Sequence, residues 1–544
     1  MNFPKVGILP DDFPYPMIGH DVTLVKHDYD ATISGGYYEG LAGGRAEITA
    51  KADLLKIDDP QAEFIPEVTL VAAQLPIDER LIRALPPGRE SLGDGRTIPE
   101  LVRAFGFQGV IGGRVALGMD QADALIYDVD LGFRGVNAMP GGTKLPGVEL
   151  RDLKGSLRVN QSRLETSFAC DVIKTDSGML PFTPAGDLKL NASFDFTAAA
   201  TPSQLSVKLD AKRLELSAPL EDAVNVISPE AAQELQALRV EHQPSGTCDL
   251  DFALSRTGGQ QPIITARASS AAAQFKLFGA RIGANTSKGS ASYIRKPDSV
   301  LYDFNDLSAS ISDITKFGVI SCGTWNLNGP LIISGAPAGT MTAIADDAKL
   351  ESPALLAIIQ QSSPQAAQAI RSFAPVGSFD GQVQIQGDQT QGNIRPSSLA
   401  ATISGGRALF ESCDGSIAFT NDAVTFTDLK LNAKDWRVFL AGNIGIDTAG
   451  GVRRDLKLNI DANSLNPELR ACLPAELLDT LKSIDLAIDG PLRVRDMDLN
   501  WHTRADASES VRLRSSIDFE QTRADVGAAL TECRGTIDAS FERI

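Results

Sequence analysis

From Gly415 to Asp447 the chain reads GSIAFTNDAVTFTDLKLNAKDWRVFLAGNIGID, and its apolar side chains return at every second position. A period of two puts them on one face of an extended strand. Ile417 and Phe419 share that face, Asn421-Asp422 supplies a two-residue turn, and Val424 and Phe426 run back. The parity then flips, because Leu429, Leu431 and Ala433 continue on odd numbers, and a flip of this kind predicts a bulge near Asp428. After a polar turn at Lys434 and Asp435, the residues Val438, Leu440, Gly442, Ile444 and Ile446 alternate with mainly polar ones. The stretch predicts a meander with one apolar and one mainly polar face.

The form of this stretch returns along the chain. ALFESCDGSIAF (Ala408 to Phe419) is echoed by AALTECRGTIDASF, VELRDLKGSLRV and RIGANTSKGSASYI, and more weakly by PMIGHDVTLV. The anchoring glycines are Gly19, Gly155, Gly289, Gly415 and Gly535, an interval of about 120 to 136 residues. The reading is a partial unit over 1–18, repeats over 19–154, 155–288, 289–414 and 415–534, and the start of another over 535–544, together one continuous elongated domain. Asp306-Leu307 in the third repeat matches Asp428-Leu429 in the fourth. Each interval also holds a short helix signal with proline in its first turn: Ile98 to Phe105, Ser228 to Leu238, Ser363 to Phe373 and Leu473 to Leu481. Period two resumes after each, as at Cys248, Leu250, Phe252 and Leu254, and at Phe379, Gly381, Val383 and Ile385. The fold class expected is therefore mostly β: a long, twisted, half-open antiparallel sheet built of repeats, with a few short helices.

An apolar face this long needs a cover. Short helices shield only ~15 Å of sheet apiece at ~1.5 Å rise per residue, so they bridge the face at intervals. A second sheet would close each unit into a sandwich. Acyl lipid is the third cover, with ~0.8 kcal/mol gained per buried CH₂. The candidate groove-lining residues are Ile417, Phe419, Val424, Phe426, Leu429, Leu431, Val438, Leu440, Ile444, Val383, Ile385, Leu250 and Phe252.

Composition narrows the functions. The net charge is -18, from 51 basic and 69 acidic residues, which argues against sequence-independent nucleic-acid binding and against a polybasic grip on anionic lipid. Six cysteines lie far apart with no C-x-x-C pair and read as small buried hydrophobes. No apolar run approaches the ~18 residues of a membrane-spanning helix, and MNFPKVGILPDDFPYP lacks the basic-then-apolar order of a secretory signal. His20-Asp21 and His27-Asp28 match no metal-ligand spacing, GGTKLPG lacks the order of a phosphate-binding loop, and no nucleophile elbow is present. The expectation is a non-enzyme without cofactor or metal.

LRDLKGSLRV, the hairpin FTNDAVTFTDLKL and the strand ending VFLAGNIGI together resemble the AsmA/TamB-like bacterial envelope proteins. More distantly they are similar to bridge-like lipid-transfer proteins built of repeating β-groove modules. The resemblance implies a half-open sheet whose apolar concave face carries phospholipid or another acyl lipid between membranes, in the periplasm, in envelope lipid transport or outer-membrane biogenesis. Its partners would be lipid and the membranes at the ends of the full-length protein, with no nucleic acid. Such proteins carry an N-terminal anchor and this sequence shows none, so it is expected to be a segment of something longer. The alternative is a structural or adhesive extracellular β-repeat protein whose apolar faces close on each other.

Overall fold

In the computed structural model the alternation becomes strand after strand, from Asn2–Ile8 to Ala529–Arg543, in one antiparallel sheet with a few short helices between. The described residues are 1–9, 15–40, 43–53, 67–85, 97–119, 125–140, 147–175, 183–195, 204–221, 224–225, 229–277, 279–316, 318–335, 339–362, 371, 374–387, 389–403, 406–446, 451–473, 487–506, 508–525 and 528–543. The chain divides into two compact units, Met1–Ala273 with Ser292–Val300, and Gln274–Ala291 with Leu301–Ile544.

The opening stretch forms three strands of the second unit, Ser412–Thr420, Ala423–Asn432 and Trp436–Ile446. Asn421 and Asp422 make the two-residue turn, held by the Asp422 and Ala423 amides donating to Thr420 Oγ1. The parity flip is a bulge: pairing slips between Phe426 and Leu429, and Asp428 takes a left-handed φ of 46°. Asp306 does the same at φ 44°.

These bulges recur across both units. In the first unit Asp152 and Arg213 have φ of 54° and 51° beside register shifts, and in the second Asp347, Asp428 and Asp496 have 50°, 46° and 51°. Asp is a short polar residue that visits the left-handed region more readily than most. A bulged residue leaves the ladder, so its amide needs another acceptor. A side chain on the neighbouring strand supplies one. The Asp152 amide donates to Asn137 Oδ1 (3.0 Å), Arg213 to Asp249 Oδ1 (2.9 Å), Asp347 to Asp380 Oδ1 (2.9 Å) and Asp496 to Asn459 Oδ1 (2.8 Å). Asp306 reaches Asn328 Oδ1 at 3.5 Å.

The partner strand yields space with glycine. Gly415 has φ 103°, and a Cβ there would lie 2.5 Å from the Asp428 carbonyl oxygen. The anchoring glycines are not all alike in this respect. Gly289 faces the Asp306 carbonyl in the same way, whereas Gly19 lies under the Tyr38 ring and Gly535 under the Phe519 ring.

Short helices cover part of the apolar face. Glu79–Ala84 is capped by Asp78 and buries Leu81, Ile82 and Ala84 in the first unit. Ile98–Phe105 has the expected boundaries, with a Thr97–Glu100 capping box and a left-handed Gly106 at its end. The second interval's helix is Pro229–His242, longer than expected by one turn. In the second unit Pro353–Ser362 and Pro467–Ala471 add helices that periodicity did not single out. Nearly all of Ser363 to Phe373, and Leu473 to Leu481 beyond its first residue, lie outside the described residues.

Substituting Gly415→Val should therefore lower the stability of the second unit by roughly 2–4 kcal/mol, since it forces a branched side chain into a left-handed φ against backbone. Gly7→Ala, whose Cβ would meet nothing within 4 Å, should change it by no more than about 0.5 kcal/mol. Urea denaturation of the two variants measures the contrast.

Candidate functional site

Cross-strand register turns the apolar alternation into rows that run across the strands on one face. In the second unit one such row is buried: Val438, Ile460, Val494 and Ile517 are register partners and all belong to its core. Trp436, Ala462 and Leu492 form the next row, with Phe410 meeting Trp436 edge to face at 5.1 Å between ring centres. Leu469 of the helix Pro467–Ala471, 1% exposed, closes over this end. A fully buried leucine of this kind is worth about 1.5–3 kcal/mol.

Beyond the bulges the same face is only half covered. Ile394, Ile417, Phe426, Gly442, Leu456 and Leu499 follow one another as partners. The next row out is Phe419, Val424, Ile444, Arg454, Trp501 and Val511. Every member of both rows is of intermediate exposure. At ~4.8 Å between strands, six partners span ~24 Å, more than the ~15 Å of one leaflet of a bilayer core.

The first unit repeats the arrangement. Leu188 and Ala211 are buried, and Leu250 beside them is half exposed. Leu190 is still buried, whereas its neighbours in the row, Phe168, Leu209 and Phe252, are half exposed. Further along the strands come Leu164, Phe194, Leu205 and Arg256, all half exposed. Cover is densest where Tyr15, Tyr38 and the helix Glu79–Ala84 pack, and thins towards these later strands.

The residues chosen by parity thus fall into three groups. Leu429, Leu431 and Val438 are buried core. Ile417, Phe426 and Leu440 are partly buried and lean on that core. Phe419, Val424, Ile444, Val383, Ile385, Leu250 and Phe252 are half exposed. Val383 pairs with Gly392, which pairs with Phe419, so these two residues, remote in sequence, lie in one row. Parity stopped short of Arg454 and Arg256, although the same alternation that selects Leu456 and Leu254 continues to them.

The opposite face is polar. In the first unit it holds a broad depression of about 440 Å³. Its charges are largely neutralised in pairs: Arg158 with Asp130 at 3.0 Å, and Arg163 with Glu165 at 2.7 Å. Surface pairs like these contribute little to stability.

Elsewhere the polar side chains read as structure. His20 stacks on Tyr37 and lies 3.8 Å from Glu39, and His27 is 87% exposed beside Asp28. Among the described residues no three His, Cys, Asp or Glu side chains come together as a metal site. In the second unit Cys322 Sγ donates to the buried Asp313 carboxylate at 3.0 Å, while the Trp325 indole donates to the Cys322 carbonyl at 3.1 Å. Burial first, and then that bond to Asp313, push the Cys322 thiol up to about 11. A thiol so held is a donor within the fold and a poor nucleophile.

No family model matches this chain, and no curated protein or solved structure matches it either.

Burial likewise raises Cys170 to about 12 and Cys248 to about 11, from an ordinary 9.0. The folded state favours the protonated thiol, so this contribution to stability is whole below about pH 9 and is lost as pH rises towards 11 to 12. Urea midpoints should accordingly fall between pH 8.5 and 10.5, by about the same sign and less steeply in a Cys170→Ala variant. At pH 8 a thiol with a pKa of about 11 is only ~0.1% thiolate, so these three cysteines should resist a thiol reagent until the chain unfolds.

Proposed function

We propose that this chain binds acyl lipid along its half-covered apolar rows and passes it from row to row, without catalysis. The observation that carries the reading is the pair of in-register, half-exposed rows beyond the buried core, of which Phe426 and Ile444 are members. An acyl chain laid on such a row gains ~0.8 kcal/mol per buried CH₂, so about twelve methylenes supply on the order of 10 kcal/mol. The lipid leaves the ladder hydrogen bonds untouched, because it takes only the side-chain face. The resemblance in LRDLKGSLRV and VFLAGNIGI supports placing the chain among AsmA/TamB-like envelope proteins, in the periplasm, with phospholipid as cargo. No helix of the described residues is long and apolar enough to cross a membrane.

The buried rows around Trp436 and Val438 favour a second reading, a structural β-repeat protein whose apolar face serves only as core. One experiment separates the two. Leu431→Asp buries an unpaired charge and should cost several kcal/mol in either case. Phe426→Asp lies on the half-covered row, so under the lipid reading it should keep a cooperative fold and lose lipid. Native mass spectrometry of gently purified protein reads the bound phospholipid, and a urea melt reads the fold. Wild-type protein free of lipid, or Phe426→Asp protein that retains it in full, would sink the lipid reading.

A further inference from the structure

Each unit places an arginine inside an apolar row. On strand Val452–Ala462 the even positions Leu456, Leu458, Ile460 and Ala462 face the apolar side, with no register shift against strand Trp436–Ile446. Arg454 is the next member of that series. Its row partners are Ile444 on one side and Trp501 on the other. Its guanidinium lies over the Trp501 ring at 4.7 Å, and Nη1 donates to Thr503 Oγ1 at 3.0 Å. On strand Ser245–Thr257 the even series Cys248, Leu250, Phe252 and Leu254 ends in Arg256, the row partner of Leu205.

These two cations differ from most arginines of the sheet. Arg158, Arg437 and Arg512 sit on the polar face and each holds a carboxylate at 3.0 Å or less. Neither Arg454 nor Arg256 is paired with a carboxylate among the described residues, and both are half buried. By register the nearest described acids on its face are Glu509, the partner of Thr503, and Asp422, two residues before Val424, and it makes an ion pair with neither. Drawing a guanidinium partly out of water without a counter-charge is unfavourable. The Trp501 face offsets this only in part. What Arg454 lacks is an anion, and its planar donors suit phosphate or carboxylate oxygens held in pairs.

The geometry points to recognition of an acyl lipid with an anionic head group, its chain on the half-covered rows and its phosphate or carboxylate at Arg454, with Arg256 the corresponding station of the first unit. This rests on the lipid reading above and adds the charge of the cargo. In a chain of net charge -18, a cation set into an apolar row also sets where the head group stops. The bound Thr503 hydroxyl and Trp501 face fix the guanidinium in advance, so little rotamer freedom remains to be lost on binding.

The test uses the full chain stripped of lipid and incubated separately with phosphatidylglycerol vesicles, phosphatidylcholine vesicles and oleate, with bound lipid read by native mass spectrometry. Phosphatidylglycerol and oleate should load in preference to phosphatidylcholine by about tenfold, the effect of one charge-assisted contact. Combining Arg454→Gln with Arg256→Gln should bring the anionic lipids down to the phosphatidylcholine level and leave phosphatidylcholine unchanged. Arg454→Lys with Arg256→Lys should keep most of the preference, and unchanged urea midpoints show that the fold is intact. Dependence on the arginines for phosphatidylglycerol but not oleate identifies a phosphate site, and the reverse a carboxylate site. Loading without charge preference, or a preference that survives both glutamines, overturns this inference while leaving the lipid reading in place. Absence of any lipid from the wild-type chain overturns both.

Discussion

The bulge with its side-chain acceptor is the constraint on which the rest of this sheet depends. An extra residue in a strand breaks the ladder and leaves an amide without its partner. Asn137, Asp249, Asp380 and Asn459 meet that need from the neighbouring strand, each within 3.0 Å. A bulge also sharpens the local twist and bends its strand. Glycines such as Gly289 and Gly415 let the facing backbone approach, and a side chain there would strike carbonyl oxygen.

In the second unit the bulges also divide the apolar face. Leu429 and Leu431 lie on the helix side of Asp428 and are buried, whereas Phe426 and Val424 lie beyond it and are half exposed. Val494 and Met497 stand in the same relation on either side of Asp496. One face thus holds two environments. The buried end, with Trp436, Phe410 and Leu469, carries the packing that keeps the unit folded. The half-covered end has surface to offer, and losing contacts there costs less because those side chains keep part of their water. The proposed lipid transfer would need this separation, since binding and release must not unmake the core.

The chemistry of the site follows from the same division. Cys322 is buried and bonded to Asp313, and Arg158 is paired with Asp130 on the polar face. Arg454 and Arg256 differ, since they interrupt apolar rows. Trp501 holds Arg454 from one side, and among the described residues Arg454 makes no ion pair with a carboxylate. Under the proposed lipid reading, hydrocarbon contacts alone would not tell one acyl cargo from another, and charge at a fixed place along the row would.

Alternation by itself determined much of this: that Ile417, Phe419, Val424 and Phe426 share a face, that Asn421-Asp422 turns the chain, and that a bulge stands at Asp428, because a period of two admits no other way to keep Leu429 and Leu431 on the apolar side. A proline in the first turn likewise marked the helix Ile98–Phe105, whose bounds the fold keeps. What alternation leaves open is exposure. Leu431 and Ile444 obey the same rule, yet one is core and the other half bare, because burial depends on which strands meet in register and where helices such as Pro467–Ala471 lie across them. Among the helices not foreseen, Glu79–Ala84 and Pro467–Ala471 have too few residues to show a period, and buried Leu81 and Leu469 tie them to the core. Cross-strand rows decided the rest. Val383 and Phe419, Leu205 and Arg256, Arg454 and Trp501 are remote in sequence and become neighbours through pairing, which a single chain read in order does not display.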